Sequence, residues 1–143
     1  MSTVADQRLT DALRAEHAAI YAYGALGGRL DAATLPIAAQ AEAAHRARRD
    51  ALVLRLSGTG ATPPVAEPAY ALPSPVTDQP SALRLMVTVE ERTAEVWCAA
   101  LPDTTGTDRK LALDGLSDGA VHAARARRAA GISPAVVAFP GRR

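Results

Sequence analysis

Four residues place reactive side chains where the hydrophobic pattern of the chain calls for apolar ones: Glu16, Glu42, His45 and Glu90. Carboxylate oxygen and imidazole nitrogen are ligands that iron and manganese accept. An acid withdrawn from water is costly unless it is paired, hydrogen-bonded or bound to a metal. One such acid needs no special account, but three on separate segments call for a common one. Glu42 and His45 are three residues apart, so on a helix they point the same way and can reach one ion between helices. Glu90, or its neighbour Glu91, supplies the acid of a third segment. No residue is assigned a catalytic role.

The same acids can be held without metal. Arg48 follows His45 by three residues on the same helix face, and Arg127 falls on the expected seam of the last helix. A guanidinium grips a carboxylate with two parallel donors and brings the positive charge a metal would have supplied. Metal ligation and an internal salt-bridge and histidine network are therefore both open. The neighbouring polar and aromatic residues have simpler readings. His17 is a flank histidine, Tyr21 and Tyr23 are boundary residues with wet hydroxyls (the alternative being hydrogen-bond donors behind the site), Trp97 fills core, and Cys98 is an inert buried thiol.

Helices must position these groups. Leu9, Leu13, Glu16, Ile20, Tyr23 and Gly27 share one face at about 100° per residue, which predicts a helix over residues 4–29. Thr3 and Asp6 are spaced as its capping box. A second helix, over 35–57, takes Pro36 in its first turn and stops at Gly58; its face collects Ile37, Ala41, His45, Arg48, Leu52 and Leu56. A third, over 79–101, has the seam Leu83, Val87, Glu90, Ala94, Trp97 and Leu101. The fourth, over 108–130, is read with Leu113, Leu116, Ala120, Ala123, Ala124 and Arg127 inward, which turns Asp118 and His122 away from the interior.

Between the second and third helices stand Pro63, Pro64, Pro68, Pro73, Pro75 and Pro80, a density no helix interior tolerates. The connection exceeds the usual ~2–8 residues between bundle helices and suits a crossover running the length of the bundle. Val65, Tyr70, Leu72 and Val76 give it apolar contacts to lay on the helices. The expectation is one all-α domain over residues 1–143, a four-helix bundle with a long Pro-rich crossover and a tail over 131–143.

Helix order, crossover and interior acids together resemble the ferritin-like superfamily. More narrowly, AEHAAIYAYG, HRARRDAL, ATPPVAEPAYALP and the closing VAFPG are similar to a family of small ferritin-like proteins of actinobacteria, over nearly the whole chain. The resemblance implies a fold and a di-metal ligand pattern: one Glu from each of two helices and a Glu-x-x-His from each of the other two. On that pattern Glu16, Glu42, His45 and Glu90 are the metal residues, with iron or manganese the implied ions. The fourth helix departs from it, since it holds no glutamate. The pattern is incomplete there, and Arg127 stands where a ligand pair belongs.

Bulk properties narrow the rest. Aromatic residues are 3% of the chain while hydrophobic ones are 48%, which favours closely packed helices over strands. The formal charge of +1 gives no drive toward nucleic acid, and the arginines Arg46, Arg48, Arg49, Arg125, Arg127, Arg128, Arg142 and Arg143 lack interleaved aromatics. A single cysteine excludes an intrachain disulfide framework. No apolar run approaches the ~20 residues of a membrane helix, and the polar first residues lack a signal core, so the cytoplasm is the default compartment. An alanine-rich face left over from the core can pack on a second copy, making a homo-oligomer compatible with the sequence. The small-molecule ligand is not specified. The expected role is a structural or binding module with an incomplete di-metal site; the alternative is a non-haem iron or manganese oxidoreductase of ferroxidase or peroxidase type.

Overall fold

The computed structural model describes residues 2–142, so Arg143 of the basic group lies outside the described residues. The chain begins its first helix where Thr3 and Asp6 exchange hydrogen bonds: the Asp6 N–H donates to Thr3 Oγ1 and the Thr3 N–H to Asp6 Oδ2, both at 3.0 Å. Four helices follow: α1 (Val4–Leu26), α2 (Leu35–Ser57), α3 (Gln79–Ala100) and α4 (Gly106–Ala130). Short 3-10 turns, Gly27–Arg29 and Leu101–Asp103, extend α1 and α3. There is no strand among the described residues. A second capping box, Asp78 with Ser81, starts α3 and leaves Pro80 in the first turn, where its missing N–H costs nothing.

Ion pairs set the helix directions. At one end of the molecule Arg55, late in α2, reaches Asp6 at the start of α1 and Asp108 at the start of α4. Arg8 reaches Asp103, just beyond α3. The starts of α1 and α4 therefore lie beside the ends of α2 and α3, so α2 and α3 run the same way. A helix of this length spans roughly 34 Å, and the chain must travel back that distance between the two. Residues 58–78 do so without regular secondary structure. Leu72 and Val76 pack on the core, Tyr70 meets Tyr21 with ring centroids 5.6 Å apart, and the His17 ring lies 3.0 Å from the Pro64 carbonyl oxygen. Val65 does not join them; it is exposed.

The apolar core is split in two. One half gathers Leu26, Leu85 and Met86 with alanines of α1 and α2, and the other gathers Leu9, Leu13, Leu52, Leu56 and Trp97. Between them lies a polar layer containing Glu16, His45, Arg48 and Glu90.

Helix α4 corrects the expected seam. Leu113 is exposed, and the buried face is Ala112, Gly115, Gly119, His122, Ala123 and Ala126. The reason is volume. A Cβ on Gly115 would stand 2.7 Å from Trp97 Nε1 and one on Gly119 3.3 Å from the Glu90 carbonyl oxygen. The glycines let α4 press against α3 around the indole, which a leucine face would hold away. Gly115→Ala is expected to destabilise by about 1–3 kcal/mol through overpacking, read as a lower urea midpoint, whereas exposed Ser117→Ala stays within about 0.5 kcal/mol. A Gly115→Ala variant as stable as its parent would show that the α3–α4 contact can open freely.

Candidate functional site

Each helix sends at least one side chain into the central layer. From α1, Glu16 and Tyr23 lie seven residues apart and so share a face; from α2 come His45 and Arg48, from α3 Glu90 and Trp97, and from α4 His122. Glu16, His45, Glu90 and Trp97 are fully enclosed.

Glu16 is held by three donors. His45 Nδ1 lies 2.5 Å from Oε2, while Arg48 Nε and Trp97 Nε1 each donate to Oε1 at 2.8 Å. His45 Nε2 turns the other way, 2.8 Å from Glu90 Oε1, and the Tyr23 hydroxyl donates to that same oxygen at 2.5 Å. With a carboxylate against each nitrogen, His45 carries both ring hydrogens and is an imidazolium. Nδ1 then has no lone pair to spare for Arg48 Nη2, 3.1 Å away. Arg48 Nη1 continues to Asp118 Oδ2 at 3.0 Å, where the network reaches solvent. Within the layer the carboxylates of Glu16 and Glu90 face the cations His45 and Arg48, so their charges cancel.

The protonation states follow from these contacts. Burial pushes the Glu16 carboxyl up, but the hydrogen bond and charge of His45, followed by those of Arg48, outweigh it and leave the group below its ordinary value. Burial works against a charged His45 as well, yet Glu16 and Glu90 lift it from 6.5 to about 9. Burial first, and the charge of Glu90 second, keep the Tyr23 phenol protonated well above its usual range. His122 is shifted down, chiefly by burial, against the opposing pull of Glu90 and Asp118. Its Nδ1 and Glu90 Oε2 face each other at 3.9 Å, and both are buried without a hydrogen-bond partner among the described residues.

The structure thus joins Glu16, His45 and Glu90. It leaves Glu42 aside, half-buried and bonded to Arg46 one turn along its own helix at 2.8 Å. Glu91 is also outside, paired with Arg127. Arg127 therefore does not occupy the centre; Arg48 is the arginine there. Both Asp118 and His122 were expected to point away; the small-residue face of α4 buries His122, because the helix is rotated from the leucine seam, while Asp118 stays exposed and meets Arg48 at the rim. Tyr23 is buried instead of wet, Trp97 donates a hydrogen bond as well as filling space, and Cys98 is only half-buried. Tyr23 carried a legible signal, its place on the face of Glu16; reading Ala112, Gly115 and Gly119 as a seam would have found His122. The basic group of α2 also dissolves: Arg46 and Arg49 have acidic partners and Arg48 is inside.

Among the described residues no cluster of three or more His, Cys, Asp or Glu side chains is arranged to hold a metal ion, and no helix is long and apolar enough to cross a membrane. The profile of a family described as Domain of unknown function (DUF4439) matches residues 8–143. A solved structure titled as a conserved hypothetical protein from Mycobacterium tuberculosis is similar at 38% identity. The likeness covers 95% of this chain and 97% of that one, with a TM-score of 0.86. No protein with a curated description matches.

Proposed function

This chain belongs to the family described as Domain of unknown function (DUF4439), and from that premise we propose a ferritin-like bundle that works as a structural or binding module, its centre closed by an ion network in place of a di-metal site. Helix order and the long crossover between two parallel helices support the ferritin-like reading. The observation that carries the functional one is the Arg48 guanidinium on Glu16, beside a His45 whose two nitrogens both face carboxylates.

A pair of metal ions needs oxygen and nitrogen lone pairs converging on a common space. Here the oxygens of Glu16 are taken by His45, Arg48 and Trp97, and His45 has hydrogens where lone pairs are required. Glu42 is turned to Arg46, and α4 contributes Asp118 to Arg48. As placed, these residues do not fit a di-metal centre. A buried, self-neutralised ion set is instead a device for register: each helix is told which neighbours to meet and at what height.

A second reading, an oxidoreductase using one iron or manganese ion, draws on a separate observation: Glu90 Oε2 and His122 Nδ1 are an oxygen and a nitrogen, both buried and both unpartnered. Elemental analysis of protein purified without chelator separates the two. The structural reading expects no stoichiometric iron, manganese or zinc and no ferroxidase or peroxide turnover. One ion per chain, with turnover lost in Glu90→Gln, would overturn it.

A further inference from the structure

The last segment of the chain, beyond α4, encloses a space that the central network does not use. Gly131 ends α4 with φ 70°, and the Ile132 N–H bonds back to the Arg127 carbonyl, so the tail turns sharply over the helix that precedes it. Its far end is anchored too. A Cβ on Gly141, φ 78°, would stand 2.7 Å from the Ala94 carbonyl oxygen and 2.8 Å from Leu116 Cδ1. Between the anchors the tail arches across α3 and α4, and a half-open cavity of about 440 Å³ remains beneath it.

The walls set its chemistry. Ala94, Ala120 and Ala124 form the helical side, and Val136, Val137 and Pro140 the tail side. Alanines leave the groove hollow where longer side chains would fill it. Pockets that hold small molecules span roughly 300–1,000 Å³ and pair an apolar body with a few polar groups. The polar groups here are unbalanced. Glu90 Oε1 is committed to Tyr23 and His45, with its unpartnered Oε2 buried against His122, and Glu91 is paired with Arg127. Arg125 donates only to the neutral Gln40, and Arg128 has no ion-pair partner among the described residues. No Asp or Glu follows Asp118 in the sequence. The lining of an apolar cavity therefore carries a guanidinium, that of Arg128, with no carboxylate partner among the described residues.

We infer that the cavity under the tail binds a small anionic amphiphile of the fatty-acid class, its chain between the alanines of α3 and α4 and the valines of the tail, its carboxylate at Arg128. The apolar body gains by leaving water, and a carboxylate suits a guanidinium better than any neutral head does. The cavity shares Glu90 with the central network, but Arg128 and the alanine and valine walls take no part in that network.

The test is titration calorimetry with sodium decanoate, kept below micelle-forming concentrations, against decanol as the uncharged chain. Saturable binding of one decanoate per chain is expected, with decanol weaker by about tenfold, the worth of one charge-assisted contact. Arg128→Gln, at an exposed position, is expected to erase that preference. Ala124→Leu, which puts a side chain into the cavity, is expected to weaken decanoate about tenfold or more, with a thermal melt confirming that it folds. Absence of saturable binding overturns the inference, as does equal affinity for decanol or indifference to Ala124→Leu. So does a stable dimer that Val136→Asp dissociates and decanoate leaves intact, since a second copy then covers this face.

Discussion

Arg48→Met is expected to destabilise the protein by about 3–5 kcal/mol, because it removes one partner from a buried ion network and leaves the other in place. Methionine fills much of the space of the arginine stem, so the loss is electrostatic more than steric. Glu16 would keep His45 and Trp97 but lose the charge that balances Glu90 in the same enclosed layer. Asp118 is half-exposed and loses little, since water takes over from the guanidinium. In a chain of this size the change corresponds to a fall of roughly 6–20 °C in Tm. Arg48→Lys should recover only part of it, because an ammonium cannot serve Glu16 and Asp118 with a planar fork. Replacing Glu16, His45, Arg48 and Glu90 together by apolar residues of similar volume, with Tyr23→Phe added, should cost less than Arg48→Met alone, since no buried charge is then left unpaired and only the Trp97 N–H loses its acceptor. Urea denaturation of the three variants decides the point. A loss under about 1 kcal/mol for Arg48→Met would mean that water enters the layer and that the network does not hold the helices in register.

The second large effect is on pH. His45 is raised from 6.5 to about 9 on folding, so its contribution is complete below pH 6.5 and is lost as pH rises through about 9. A shift of that size is worth on the order of 3 kcal/mol across the window. Glu16 acts on the other side. Its folded carboxyl lies below the ordinary 4.5, so its contribution is present above that value and disappears as pH falls. His122, lowered by burial, also withdraws stability as pH drops below 6.5, because the unfolded chain then binds the proton more readily. Stability should peak near pH 6.5 and fall toward pH 9, with Tyr23 steepening the loss above pH 10 as the unfolded chain ionises first. In His45→Gln the slope between pH 6.5 and 9 should flatten. Chemical denaturation at four pH values in that interval measures both slopes; parallel slopes would remove His45 as their cause.

The fold was legible to within a few residues. Periodicity placed α1, α2 and α3, the prolines of 58–78 marked the crossover, and Thr3 with Asp6 marked the first cap. Glu16, His45 and Glu90 were legible as interior residues for one reason: each stands on a strip that is otherwise apolar, and helical spacing alone places it there. Glu42 was harder, because Arg46 one turn later on the same helix competes for its carboxylate, and only the packing settles that choice.

Helix α4 marks the boundary between the two kinds of knowledge. Leu113 outranks Gly115 and Gly119 in hydrophobicity, so any reading by apolarity turns the leucine inward. The folded protein turns it outward. Hydrophobicity is a property of one residue, whereas filling a space around the Trp97 indole is a property of two helices at once. The sequence by itself determined the four helices, the crossover and the presence of acids and a histidine inside. Tertiary structure alone decided that Arg48 neutralises the acids, that His122 faces inward while exposed Asp118 reaches Arg48 from the rim, and that Glu42 and Arg127 stand elsewhere. Which charge meets which depends on distances between helices, and those distances are set by side-chain volumes that no single helix contains.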